Sequence, residues 1–291
     1  MMCRRPRSVS TSVPRRTSDV SAGAEIAVQL AAAESRRARS RARLVLQGGR
    51  LLLGVVALAA WQLLSGPVID PFFFTSPAAI GAELLRLISS GAFTVHVWLT
   101  VQETVLGYVV GAVAGVVAAI AFGLSRRAYS IAEPFVLVIY SVPSIAIAPL
   151  LITWFGIGLL PKVLLAAYFV FFFVFMNGVT GVRSVSRGWI DMARVMGASR
   201  LQLAWKIVLR GAAPYIMAGL KAGMPLAVIG AIAGEFIASQ RGIGFLVSIA
   251  AAQYQTAGVF AALVVLSALV LLMHAVLNSG GLVRPLLRSR T

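Results

Sequence analysis

The sequence has one cysteine, Cys3, and two histidines, His96 and His274. One thiol cannot build an intrachain disulfide framework or a multi-cysteine metal site. The two histidines belong to different segments and offer no metal-ligand spacing. Acidic residues are scarce as well: nine Asp plus Glu stand against 26 Lys plus Arg, and 12% of residues are charged. A soluble domain carries about 25% charged residues, so this chain has too few to cover a water-facing surface of its size. No stretch matches G-x-x-x-x-G-K-[ST], so no such loop cradles nucleotide phosphates. No paired acids or histidines have catalytic spacing, which argues against a membrane-embedded enzyme.

Apolar residues are abundant instead. They make up 59% of the 291 residues, and the mean hydropathy is +0.90. Several runs reach the roughly 20 apolar residues that a helix needs to cross the hydrocarbon core. The pattern predicts an all-α polytopic membrane protein with about six transmembrane helices. They fall near Leu44–Leu64, Val97–Leu124, Pro134–Phe155, Val163–Val182, Pro214–Ile237 and Gly258–Leu277. Residues 44–291 form one transmembrane domain on this reading. Residues 1–43 are rich in Ser, Arg and Ala and lack aromatics. They read as a disordered, basic cytoplasmic tail, with the composition for a short helix near Glu25–Ser40. A signal peptide is not expected, because the first long apolar run begins too late.

The net charge of +17 would suit a nucleic-acid partner, but its distribution points to a membrane and excludes that partner. Eleven Arg lie at or before Arg50, followed by Arg126 and Arg127, six basic residues from Arg183 to Arg210, and Arg284, Arg288 and Arg290. In the six-helix arrangement these 22 of the 26 basic residues share one side. The positive-inside rule makes that side cytoplasmic and puts both termini there. Arg86, Lys162 and Arg241 fall in outer loops, and Lys221 lies within the fifth helix. Aromatics sit mainly inside apolar runs, not interleaved with basic residues as single-strand binding requires.

Gly107, Gly111, Gly115 and Gly123 recur on the second span at spacings of four or eight, which suits close helix packing in lipid. Pro134, Pro143 and Pro149 crowd the third span. Each removes a backbone donor, giving either simple curvature or a pathway-lining break of the kind tolerated beside a cavity. Ionisable residues in spans are functional candidates by default. Glu133 reads as a helix start favoured by the helix dipole. Lys221 either snorkels to the inner surface or pairs with an acid. Glu103 and Glu235, near outer helix ends, suit packing or gating better than substrate contact.

The loop between the fourth and fifth spans is too polar to cross a membrane, yet it has helical periodicity. Trp189, Met192 and Met196 share one face, as do Leu201 and Trp205. Gly197 interrupts the pattern. The expectation is a short amphipathic helix, a glycine turn and a second helix running to the membrane. By itself, such a segment reads first as an interfacial helix lying on lipid headgroups.

This loop resembles the cytoplasmic signature of permease subunits of ATP-binding-cassette importers. That signature runs Glu-Ala-Ala, three residues, Gly, nine residues, Ile, one residue, Leu-Pro. Here its positions fall on Asp191, Met192, Ala193, Gly197, Ile207, Leu209 and Arg210. Asp replaces Glu, Met replaces the first Ala and Arg replaces Pro, while the spacing is intact. VPSIAIAPLLITWFGIG (Val142–Gly158) and GEFIASQRGIGFL (Gly234–Leu246) are similar to segments of permeases for nitrate, sulfonate, taurine and thiamine-precursor import. The resemblance runs from about residue 50 to the end.

The resemblance implies a prokaryotic plasma-membrane permease subunit that forms the pathway for a small solute, binds no cofactor and hydrolyses nothing. Its cytoplasmic coupling helix would use Trp189, Asp191, Met192, Ala193, Met196, Gly197, Ile207 and Leu209. Pro143, Pro149 and Glu235 are the candidate pathway or gating residues. The implied partners are a separate ATP-binding-cassette ATPase subunit, a second copy of the permease in a homodimer, and an extracytoplasmic solute-binding protein. The alternative from another class is a secondary transporter driven by an ion gradient. That reading needs a buried ion-coupling site and often an internal repeat, and no clear repeat is visible.

Overall fold

The computed structural model describes residues 46–68, 70–91 and 93–279. The expected tail at 1–43 and the basic residues Arg284, Arg288 and Arg290 lie outside them. Two units are distinguished, the first ending at Leu63 within the last turn of α1 (Leu46–Leu64). By itself, α1 is apolar and 19 residues long, enough to cross a hydrocarbon core at a rise of about 1.5 Å per residue.

All the other helices belong to the second unit. They are α2 (Pro77–Ser89), α3 (Phe93–Gly123), α4 (Arg126–Ser141), α5 (Ser144–Phe155), α6 (Leu159–Ser184) and α7 (Arg187–Val195). Then come α8 (Arg200–Ala238), α9 (Ile243–Ala252) and α10 (Thr256–Ser279). Five helices (α1, α3, α6, α8 and α10) are long and apolar enough to span alone, and α4 with α5 can make a sixth, broken span. The protein is therefore an all-α polytopic membrane protein, as the apolar runs predict.

The core is built on α6, which packs most extensively against α3 and α8, and those two helices also meet each other. The glycines of α3 permit this closeness. A Cβ built on Gly115 would lie 2.9 Å from the Phe171 carbonyl oxygen, and one on Gly230 of α8 would lie 2.6 Å from Ala166 Cα. Lipid offers apolar surface no drive to associate, so backbone proximity and its dispersion contacts supply the cohesion. Val170 and Val174 of α6 fill the seam together with Ala112 and Ala227. A second cluster joins Val228 of α8 and Ile243 and Val247 of α9 to Ala262, Leu266 and Leu269 of α10.

Four expectations need correction. The third span is not one helix from Pro134: α4 begins at Arg126 and is capped by Ser125, whose Oγ accepts from the Ala128 N–H at 3.3 Å. Glu133 and Pro134 are thus inside α4, two turns in, and Glu133 does not start a helix. The fifth span does not begin at Pro214, because α8 runs unbroken from Arg200 through Pro214 and Pro225. Lys162 is not in a loop; it lies in the first turn of α6 and is buried. Two helices, α2 and α9, were not expected from the sequence. Ser76 caps α2 by accepting from the Ala79 N–H, with Pro77 in the first turn, and Ile80 is its buried residue. Arg86 at the end of α2 donates to Glu83 at 2.5 and 2.8 Å, and this hydrogen bonding holds the Glu83 carboxyl below its ordinary range.

Candidate functional site

The segment expected to form a helix, a turn and a second helix does so. α7 ends in a Schellman arrangement. The Ala198 N–H donates to Ala193 O and the Gly197 N–H donates to Arg194 O, each at 3.0 Å. Gly197 has φ +80°, a left-handed conformation that a residue without Cβ adopts freely. Ser199 then caps α8 through a reciprocal box. Its Oγ accepts from the Gln202 N–H at 3.2 Å, while the Ser199 N–H donates to Gln202 Oε1 at 3.0 Å. The reversal is fixed by local chemistry on both sides, so α7 and the foot of α8 hold a defined angle.

One face of α7 is anchored. Ala193 is buried with Val182 of α6 and Leu203, Val208, Ala212 and Ile216 of α8; Ile190, Ile207 and Leu209 pack against this cluster. The adjoining face carries large apolar side chains with little cover. Trp189 is 62% exposed, Met192 50% and Met196 79%. Asp191 is exposed too and accepts from Arg194 at 3.2 Å within the same helix. The eight residues singled out in this loop therefore divide in two. Ala193, Ile207 and Leu209 secure the element, with Gly197 shaping it. Trp189, Asp191, Met192 and Met196 face outward. The foot of α8 is a π-helical turn over Leu203–Val208, a departure from regular winding that often marks functional segments.

The two proline candidates lie at one break. α4 and α5 meet at 88°, with Val142 ending one helix and Pro143 heading the next. In an unbroken helix the Ile139 carbonyl would accept from residue 143, but proline has no N–H to give. The Tyr168 hydroxyl of α6 donates to that carbonyl at 2.6 Å. A cavity of about 330 Å³ opens at the break, lined by Tyr140, Ser141, Pro143, Ser144, Phe169 and Phe173 among others. Pro149 is exposed within α5, one and a half turns on. Glu235 is not part of this break.

Glu235 instead belongs to a buried polar knot at the end of α8 farthest from α7. Its Oε1 accepts from the Thr100 hydroxyl at 2.6 Å and its Oε2 from the Gly244 N–H. Thr100 Oγ1 in turn accepts from the Ile243 N–H at 2.9 Å, and the Gly242 N–H donates to His96 Nδ1 at 3.0 Å. α3 thereby meets the unsatisfied N–H groups at the start of α9. Gly242 has φ +122°, and a Cβ there would overlap the Glu235 carboxyl. Beside them, Lys162 Nζ donates to Glu103 Oε1 at 2.6 Å and to Ser239 Oγ at 2.8 Å. This Lys162–Glu103 pair had no signal in the sequence, since the residues are 59 apart and the lysine resembles a loop charge. Lys221 has no carboxylate ion-pair partner among the described residues.

Residues 111–279 match the protein family described as binding-protein-dependent transport system inner membrane component. The riboflavin transport system permease protein RibX of Chloroflexus aurantiacus is 35% identical over 77% of this chain and 83% of its own length. The taurine transport system permease protein TauC of Escherichia coli is 31% identical over 76% of this chain and 82% of its own length. In fold, the chain is similar to a solved structure of the MetNI methionine ABC transporter in inward-facing conformations. The TM-score is 0.59 at 20% identity, covering 67% of this chain and 96% of the other.

Proposed function

This chain belongs to the family of binding-protein-dependent transport system inner membrane components, which makes it a permease subunit of an ABC importer, and we propose that α7 is its cytoplasmic contact with a separate ATPase subunit. The observation that carries this reading is the division of α7 into an anchored and a free face. Ala193 ties the helix to α6 and α8, while Trp189, Met192 and Met196 remain uncovered. Buried aromatic and Met side chains are enriched where partners dock, and a partner groove would cover these three. The capped turn at Gly197–Ser199 makes α7 and α8 one lever, so a push on α7 reaches the spanning helices. Tight packing supports the transmission, because close-packed interiors pass on strain instead of absorbing it.

The bend at Pro143 and its cavity form part of the pathway wall, with Pro149 on the same element. Glu235 holds the far end of α8 against α9 and does not contact solute. Two copies of the chain enclose one pathway, and an extracytoplasmic binding protein delivers the solute. With α7 in the cytoplasm, both termini lie there as well, which the basic clusters support. The relatives are named for different solutes, riboflavin and taurine. The solute here is accordingly proposed only as a small molecule of the kind these importers carry, such as a sulfonate or a thiamine precursor. These relatives do not support an ion-driven secondary transporter.

The test is capture of the ATPase subunit by purified permease. Trp189→Ala with Met192→Ala removes exposed apolar surface and leaves the anchoring face intact. Membrane abundance should match the wild type, while co-purified ATPase and ATP-driven uptake should fall at least tenfold, in keeping with the loss of interface anchors. Full capture and full uptake by the double variant would remove the assignment.

A further inference from the structure

The polar knot at the end of α8 has a charge balance that its hydrogen bonds do not close. Two carboxyl groups, Glu103 and Glu235, are each 1% exposed, and one cation, Lys162, is 8% exposed. The carboxyls sit on different helices of one knot: Glu235 accepts from Thr100, three residues before Glu103 on α3, and a Cβ on Gly234, next to Glu235, would lie 2.9 Å from Lys162 Cγ. Lys162 serves Glu103 Oε1, while Thr100 and the Gly244 N–H serve Glu235. Glu103 Oε2 is buried and receives no hydrogen bond from any N–H or hydroxyl. The remaining titratable or charged groups nearby are His96 and Arg241. His96 Nδ1 faces the Gly242 backbone, 3.0 Å from its nitrogen and 3.1 Å from its carbonyl oxygen, and not the carboxyls. Arg241 is exposed at the mouth of the adjacent cleft and makes no ion pair among the described residues. With both acids ionised, the knot would hold one uncompensated negative charge inside a membrane bundle, which burial disfavours.

We propose that Glu103 and Glu235 bind one proton between them, so that the knot formed with Lys162 is electrically neutral. The proton provides what the geometry lacks. It removes one of two repelling negative charges, makes one carboxyl a donor, and leaves one negative charge for Lys162. Two carboxyls that share a site cannot both ionise readily. A cleft of about 360 Å³, lined by Glu103, Lys162, Ser239, Gln240 and Arg241 among others, connects the knot to solvent at the end of the bundle away from α7. The proton therefore exchanges from that end. This inference is independent of the role given to α7.

Infrared spectroscopy of the full chain in bilayers at neutral pH reads the proton directly. Solvent-exposed carboxyls are ionised under those conditions, so a carboxylic-acid carbonyl band in the wild type reports a buried, protonated acid. The band should persist whether the buffer contains sodium or a bulky organic cation. It should vanish in Glu103→Gln and in Glu235→Gln, because either variant leaves a single carboxylate for Lys162 and supplies an amide donor in place of the proton. Lys162→Met should instead raise the band about twofold, since both acids must then be neutral. Absence of the band in the wild type overturns the proposal, as does its replacement on sodium addition, which would make a metal cation the occupant. A band unchanged in both Gln variants, or no increase in Lys162→Met, overturns it too.

Discussion

At the scale of single residues, the two glycines with the most to do are Gly197 and Gly242. Gly197 was legible in the sequence, because a glycine between two periodic stretches announces a chain reversal, and its φ of +80° is what that reversal requires. Gly197→Val should strain the turn by about 1–2 kcal/mol and tilt α7 relative to α8. Nothing lies within 4 Å of a Cβ there, so the penalty is conformational and not a clash. Insertion into the membrane should be normal, while ATPase capture falls. Gly197→Asn should recover much of the capture, since Asn tolerates the left-handed region. Measuring co-purified ATPase across the three proteins checks the claim, and equal loss in Val and Asn variants would count against it. Gly242 was less legible: its neighbour Glu235 is seven positions earlier in sequence, and only the fold shows that a side chain there would displace the carboxyl. The Lys162–Glu103 contact was invisible for a similar reason. A charge at a span boundary looks like a loop charge until the partner helix is in place.

At the scale of elements, hydrophobic length found the long spans, and spacing found α7, but neither could find a sharp bend. The prolines at 134, 143 and 149 signalled trouble without saying which one breaks the helix. The answer lies at the Ile139 carbonyl, which Pro143 cannot serve and which accepts instead from the Val142 N–H at 3.2 Å and from the Tyr168 hydroxyl. Pro134 sits inside α4 without dividing it. Tyr168→Phe removes that donor while keeping the ring. We expect a loss of about 1 kcal/mol, near the usual worth of a hydrogen bond between membrane helices. Thermal unfolding in bilayers should record it as a modest fall in midpoint. If Tyr168→Phe and the wild type unfold alike, the bend does not depend on that hydroxyl. The short helices escaped notice for a different reason. α2 is amphipathic and α9 has only ten residues, so neither gives a spanning-length apolar run. α9 is stable because α3, α8 and α10 enclose it and side chains of α3 and α8 receive its first N–H groups.

At the scale of the whole molecule, charge placement and apolar length together defined the class, and the spacing from Asp191 to Leu209 carried the functional resemblance. The solute was not legible, because the features that make a permease are shared by relatives named for different solutes. The sidedness drawn from the basic residues is open to direct measurement. In a Cys3→Ser background, Arg241→Cys should react with a membrane-impermeant maleimide added to intact cells. Arg127→Cys should react only after permeabilisation. Reaction of Arg127→Cys from outside would invert the arrangement and place α7 away from any cytoplasmic partner.

The continuity of α8 has a mechanical consequence. Its 39 residues at about 1.5 Å each make a rod of roughly 58 Å, nearly twice the ~30 Å of the hydrocarbon core. A rod longer than the layer it crosses behaves as a lever with its fulcrum in the bilayer, and close contact with α6 from Gly219 to Gly234 resists independent bending over that stretch. A tilt of about 5° would carry one end some 5 Å relative to the other over such a length. Small angular displacement at the α7 end is thereby converted into a movement of side-chain size at the end where Glu235 meets α9, without any helix having to melt.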